Sequence, residues 1–174
     1  MKTFFRIIAL VMLITTASSS QAGMVPYTDA LHKFTISFPS EWETKPNHLN
    51  VPVISFSPIS GPTDTLRENV NVVSEPLPPG ILLEQYYNAN IANMSKALGN
   101  FQVNEKTNIL IGGQSAIRIV ASYQTQQVSV KAVTHFFINP MSNKGYVVTS
   151  TAIPESFLQF QPVFDAIAQS FRIQ

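Results

Sequence analysis

Three long strand-like stretches follow one another in the last third of this chain, and the breaks between them are short. Residues 115–123, 128–138 and 146–152 are rich in β-branched and aromatic side chains, the residue types that suit a pleated, half-buried surface. The breaks are the polar stretch 124–127 and the turn cluster 139–145, NPMSNKG. A parallel crossover needs a dozen or more residues, so neither break can carry one. The three stretches are therefore predicted to form an antiparallel meander. Within 128–138 one face reads Val128, Val130, Ala132, Thr134, Phe136 and Ile138, and the other Ser129, Lys131, Val133, His135 and Phe137. Apolar residues occur on both faces, so the sheet must be covered on both sides, by helices or by loops.

Upstream, residues 34–38 (FTISF) alternate apolar and polar, the period of a half-buried strand. Pro39 ends that strand, and the only tryptophan, Trp42, follows in a turn, where it is expected to plug the edge of the core. Residues 53–57 and 70–75 read as two more strands, separated by a polar loop over 58–67. Residues 101–105 and 108–111 read as two short strands, and Gly112-Gly113 as a tight turn. The best helix covers 82–98, where Leu83, Tyr87, Ile91, Met94 and Leu98 fall on one stripe and Gly99 follows as a C-cap. A second stripe, Phe157, Phe160, Phe164, Ile167 and Phe171, marks the last element. Because Pro162 suits a first turn better than a helix interior, a short turn is expected first and the helix from about 162 to 170. The order strands, helix, strands, helix predicts an α+β fold, with a central antiparallel β-sheet sandwiched by helices.

The amino terminus reads as an address. Lys2 and Arg6 precede an apolar run over 7–16 (IIALVMLITT), and small residues follow over 17–22 (ASSSQA). This is the pattern of a secretory signal peptide, with cleavage expected after Ala22. The run is shorter than the roughly 20 residues that span a bilayer core. Residues 23–33 are then expected as a partly ordered lead-in, and 34–174 as a single domain. The formal net charge is +1, of which Lys2 and Arg6 supply two positive charges, so the remainder carries −1. A nearly neutral chain has no general attraction for nucleic acid. With no cysteine, neither a disulfide framework nor a thiolate metal site is available.

Motifs for chemistry are sparse. The sequence has no phosphate-binding glycine loop, no dinucleotide fingerprint and no nucleophile elbow. Ser115 has no base identifiable beside it and reads as a hairpin serine. Glu41 and Glu43 flank Trp42 and would face one way, as a glycosidase-like carboxylate pair must, but they read as a solvated edge. Lys131, Lys144 and Arg118 could form a small basic patch on neighbouring strands, but they read as solvated charges. Of the three histidines, His32, His48 and His135, none pairs at ligand spacing. His135, inside a long strand, is the one candidate for a metal ligand; the alternative is a partly exposed strand histidine. No catalytic residue and no cofactor are predicted.

Several ordered features resemble the PsbP-like family. The stretch 34–42 (FTISFPSEW) looks like the opening strand and Pro-x-x-Trp turn of those domains, 70–73 (VNVV) like a later strand, and 82–98 like their central helix. Residues 111–116 (IGGQSA), 134–137 (THFF), 144–148 (KGYVV) and 168–171 (AQSF) continue the likeness, which spans about residues 30–174. The resemblance implies an antiparallel sheet between helices, shared with Mog-type Ran-binding proteins. It also implies a mostly non-enzymatic role: plant and cyanobacterial members are extrinsic subunits on the lumenal side of photosystem II. It places His135 near a strand histidine linked to metal binding in plant-type members. The carboxylate expected near it is not clearly present, and Glu155 is the nearest candidate. The expectation is thus an exported accessory factor with an unidentified protein partner; a small-ligand or divalent-metal module on His135 and Glu155, or a hydrolase assembled only by the fold, are the alternatives.

Overall fold

The computed structural model describes residues 23–59, 61, 66–125 and 128–174. The leader expected over 1–22 lies outside the described residues. A hairpin of β1 (Met24–Asp29) and β2 (Phe34–Pro39) comes first. Then follow β3 (Glu43–His48), β4 (Val51–Phe56), β5 (Asn69–Pro76) and α1 (Leu83–Ala97). The chain continues through β6 (Gly99–Ile111), β7 (Gln114–Gln124), β8 (Ser129–Asn139), β9 (Lys144–Ala152), α2 (Pro154–Ser170) and β10 (Arg172–Ile173). A seven-stranded sheet has the order β3-β4-β5-β9-β8-β7-β6, and a three-stranded sheet the order β1-β2-β10. Every pairing is antiparallel.

The meander stands as expected. Ile117 lies opposite Phe136 between β7 and β8, and Phe136 opposite Val147 between β8 and β9. Because β8 is apolar on both faces, two cores form. On one side α1 places Tyr86 and Tyr87 over Ile117, Ile119, Ala121 and Phe136. On the other, α2 and the small sheet pack Phe157, Phe164, Ile167, Phe34, Ile36 and Phe38 against Val133, Phe137 and Val148. Complete burial of side chains of this size is worth about 1.5–3 kcal/mol each. Trp42, 7% exposed, packs against Phe160 and Phe164 with ring centroids 6.4 Å away in both cases, which makes it the expected plug.

Three local expectations are corrected and one strand is added. The lead-in over 23–33 is ordered: Met24–Asp29 form β1, and Asp29 closes its turn by accepting from the His32 backbone N–H at 2.8 Å. Residues 43–48 (ETKPNH) form an edge strand that has no apolar alternation to announce it. The two short strands over 101–105 and 108–111 are one strand, β6, interrupted by two irregularities of register. Finally, α2 begins at Pro154, and Pro162 lies inside it. An interior proline costs about 3 kcal/mol. Here the earlier turns bring buried Phe157 and half-buried Phe160 onto the core, and that burial offsets the cost.

One close approach ties α1 to the sheet. The Tyr86 ring lies directly over Gly145, where a Cβ would stand 2.5 Å from the ring Cζ. Its hydroxyl reaches past β9 and donates to Glu75 Oε1 on β5 at 2.8 Å. Gly145→Ala is therefore expected to displace Tyr86 and cost about 1–3 kcal/mol, the usual range for overpacking. Urea denaturation checks this; an unchanged midpoint would show that the ring contact carries no stability.

Candidate functional site

The α2-facing side of the sheet carries the polar residues that a site would need. On β8, alternation puts Lys131, Val133, His135 and Phe137 on this face. His135 lies opposite Arg118 on β7 and Val148 on β9. It is 2% exposed and stacks on Phe137 with ring centroids 6.4 Å apart. Its Nδ1 is buried and has no hydrogen-bond partner among the described residues. Burial, and after it the Arg118 guanidinium, push the imidazole pKa down to about 3. His135 is thus a neutral, enclosed ring at physiological pH, which excludes the partly exposed strand histidine. Arg118 is paired in turn with Glu105, its Nη1 3.5 Å from Oε2.

Ser150, on β9, is fully buried, and its Oγ also lacks a partner among the described residues. It lies opposite Val133 of β8, so it shares the α2-facing side with His135. A buried polar atom left unpaired costs roughly 1–3 kcal/mol. Two such atoms beneath one helix mark this as the least satisfied polar region of the described core.

Glu155 stands exposed in the first turn of α2, where a carboxylate complements the helix dipole. The carboxylate that the fold buries near this helix start is Glu68 instead. It is 6% exposed and accepts from Ser57 Oγ at 2.9 Å and from Ser156 Oγ at 2.6 Å. Sequence reasoning missed Glu68, since a single carboxylate at the end of a polar loop carries no periodic signal. Among the described residues no group of three or more His, Asp and Glu is placed to hold a metal ion. A cation at His135 would also meet the positive charge of Arg118.

The remaining candidates are engaged separately. Glu43 bridges Arg67 at 2.8 Å and Lys45 at 3.0 Å, and the Arg67 hydrogen bond holds its carboxyl below the usual range. Glu41 is exposed in the turn before it. Lys131 lies over the Phe157 ring at 4.7 Å, while Lys144 donates to the Leu31 carbonyl at 3.4 Å. With Arg118 on Glu105, the three basic residues have three different partners. His32 Nδ1 sits 2.9 Å from Asp29 Oδ2, and His48 meets the Phe56 ring edge-on.

The sequence model of the DcrB family matches residues 55–170, from β4 to the end of α2. The chain belongs to the DcrB family. No curated protein matches this DcrB-family chain by sequence. Its fold is similar to that of cyanobacterial PsbP from Synechocystis sp. PCC 6803, with 15% identity, a TM-score of 0.66, and coverage of 93% of this chain and 99% of that one. LpqN, involved in cell envelope biogenesis of Mycobacterium tuberculosis, is 15% identical at a TM-score of 0.67, over 87% of this chain and 91% of that one. The Saccharomyces cerevisiae Ran-binding protein Mog1p is 7% identical at a TM-score of 0.62, over 87% and 96%. The PsbP/Mog-type α+β fold expected from the sequence is confirmed. At such identities the likeness is one of fold alone.

The enclosed imidazole makes a pH prediction. His135 takes up a proton at about pH 6.5 in the unfolded chain but only near 3 in the folded one. Between those values the unfolded state binds more protons, so stability falls as pH falls, by up to about 1.4 kcal/mol per pH unit. His135→Leu removes this contribution. The stability difference between wild type and variant, from urea titrations at pH 7, 6, 5 and 4, should move steadily against wild type. Parallel curves would place the histidine in water.

Proposed function

We propose that this DcrB-family protein is an exported, non-catalytic accessory factor that works by binding another protein or a component of the cell envelope. The observation that carries this reading is the shared frame. One doubly covered antiparallel sheet serves a Ran-binding protein, a cyanobacterial PsbP and a protein of envelope biogenesis. Family membership over residues 55–170 adds to it. The charged start, apolar run and small-residue segment over 1–22 support export, with the mature chain beginning at Gly23. In a photosynthetic host the same reading makes it an extrinsic photosystem II-type subunit. No helix among the described residues is long and apolar enough to cross a membrane.

A test is crosslinking of the mature protein in its native envelope fraction, followed by mass spectrometry. The expected result is a reproducible stoichiometric partner and an amino terminus at Gly23. A defined turnover abolished by one alanine replacement in a folded variant would overturn the reading.

A second reading, a divalent-metal or small-ligand module on His135 and Glu155, draws on the unpartnered Nδ1 of His135 and is opposed by Arg118. Calorimetric titration with Zn²⁺ decides it. Heat that disappears in both His135→Leu and Glu155→Gln would establish the module, and identical traces for all three proteins would remove it.

A further inference from the structure

The seven-stranded sheet ends in two edges of different character. At β3 the edge is blunted. Pro46 removes a backbone donor, and Asn47, Leu49 and Asn50 take left-handed backbone conformations at the β3–β4 turn. Such features keep a strand from pairing further. At the opposite end, β6 runs for 13 residues without a proline. Its register shifts lie between Gly99 and Glu105, so residues 105–111 pair regularly with β7.

The β6–β7 turn sets which backbone groups of this regular part are free. Gly112 and Gly113 have φ of 58° and 79°, the geometry of a two-residue type I′ hairpin. Its closing pair, Ile111 and Gln114, is hydrogen-bonded, and bonded pairs then alternate along the ladder. Ile109 and Thr107 therefore bond to β7, while the N–H and C=O of Lys106, Asn108 and Leu110 point away from the sheet. An open cavity of about 470 Å³ lies beside them, lined by Leu83, Glu84, Asn108, Leu110 and Ile117 among others. Leu110 and Leu82 are 67% and 64% exposed. Glu84, the one charged residue of its lining, is paired with Lys106, so the cavity offers mainly apolar contacts.

We infer that β6 is a docking edge, which takes an extended segment of a partner polypeptide as an eighth strand through the backbone of Lys106, Asn108 and Leu110. The occupant follows from hydrogen-bonding chemistry: a row of outward donors and acceptors at strand spacing is complementary to another extended backbone. Alternate side chains of that segment, apolar ones, settle over Leu110 and Leu83. The inference names a surface for the binding role proposed above but does not require export.

The probe is a displayed library of random twelve-residue peptides, selected on the mature protein. Selected peptides should alternate apolar and polar residues and slow amide exchange at Lys106, Asn108 and Leu110. Asn108→Pro deletes an outward N–H while sparing the β6–β7 ladder. It should weaken the peptides at least about tenfold, the scale of one lost hydrogen-bonded group. Leu110→Asp, which leaves the backbone intact, should weaken them similarly, so the test survives if the proline variant fails to fold. Peptides that map elsewhere, or that bind both variants as tightly as wild type, would overturn the inference. So would a β6-paired dimer of the free protein that Asn108→Pro dissociates, because the edge would then belong to a second copy. A stoichiometric envelope partner that binds both variants normally would overturn this edge while leaving the accessory role standing.

Discussion

Strand β8 must be buried on both faces, and the rest of the architecture answers that constraint. Val133 and Phe137 point one way, Phe136 the other, and all three are essentially inaccessible. A strand with two apolar faces is stable only inside a sheet covered on both sides. α1 covers one side with its tyrosines. α2, with the β1–β2–β10 sheet, covers the other with phenylalanines. Two buried tyrosines lock the layers together through single hydroxyl bonds: Tyr86 to Glu75, and Tyr146 to the His32 carbonyl at 2.8 Å. Each anchors an aromatic ring in the core while satisfying its polar tip.

This hierarchy explains what could be read from the sequence. The meander was legible because its strands are long, apolar on both faces and joined by breaks too short for crossovers. The helical stripes were legible because helix period and packing coincide at buried Tyr87 with half-buried Leu83, Ile91 and Met94, and again at buried Phe157, Phe164 and Ile167, although Tyr86, the most buried residue of α1, lies off the stripe. Elements whose stability comes from their neighbours were not. The edge strand β3 is polar and contains Pro46, so nothing local distinguishes it from a loop. β1 becomes a strand because β2 lies beside it. The first turns of α2 form although Pro162 interrupts the helix, because Phe157 has a core to enter.

The candidate site was less legible than the fold. His135 was found from its place in a strand, but its enclosure depends on α2 and Phe137, which are far from it in sequence or on its own face. Arg118 became relevant only through the β7–β8 register. Glu68 and Ser150 carry no pattern in the chain at all. The result is a neutral imidazole beside a guanidinium, with polar atoms under a helix that lack a partner among the described residues. The PsbP- and Mog-type likeness is one of fold, and function is read from sites rather than from folds.

The β9–β8–β7 ladder lies within the seven-stranded sheet as its frame, and β6 and β3 are its outlying edges. Native-state hydrogen exchange of the protein tests this arrangement. Amides of β7, β8 and β9 should open only with global unfolding, while the outward amides of β6 and those of β3 exchange through local openings. If β6 exchanged as slowly as β8, or if the small β1–β2–β10 sheet were the most protected part, the account of a covered frame with an open edge would be wrong.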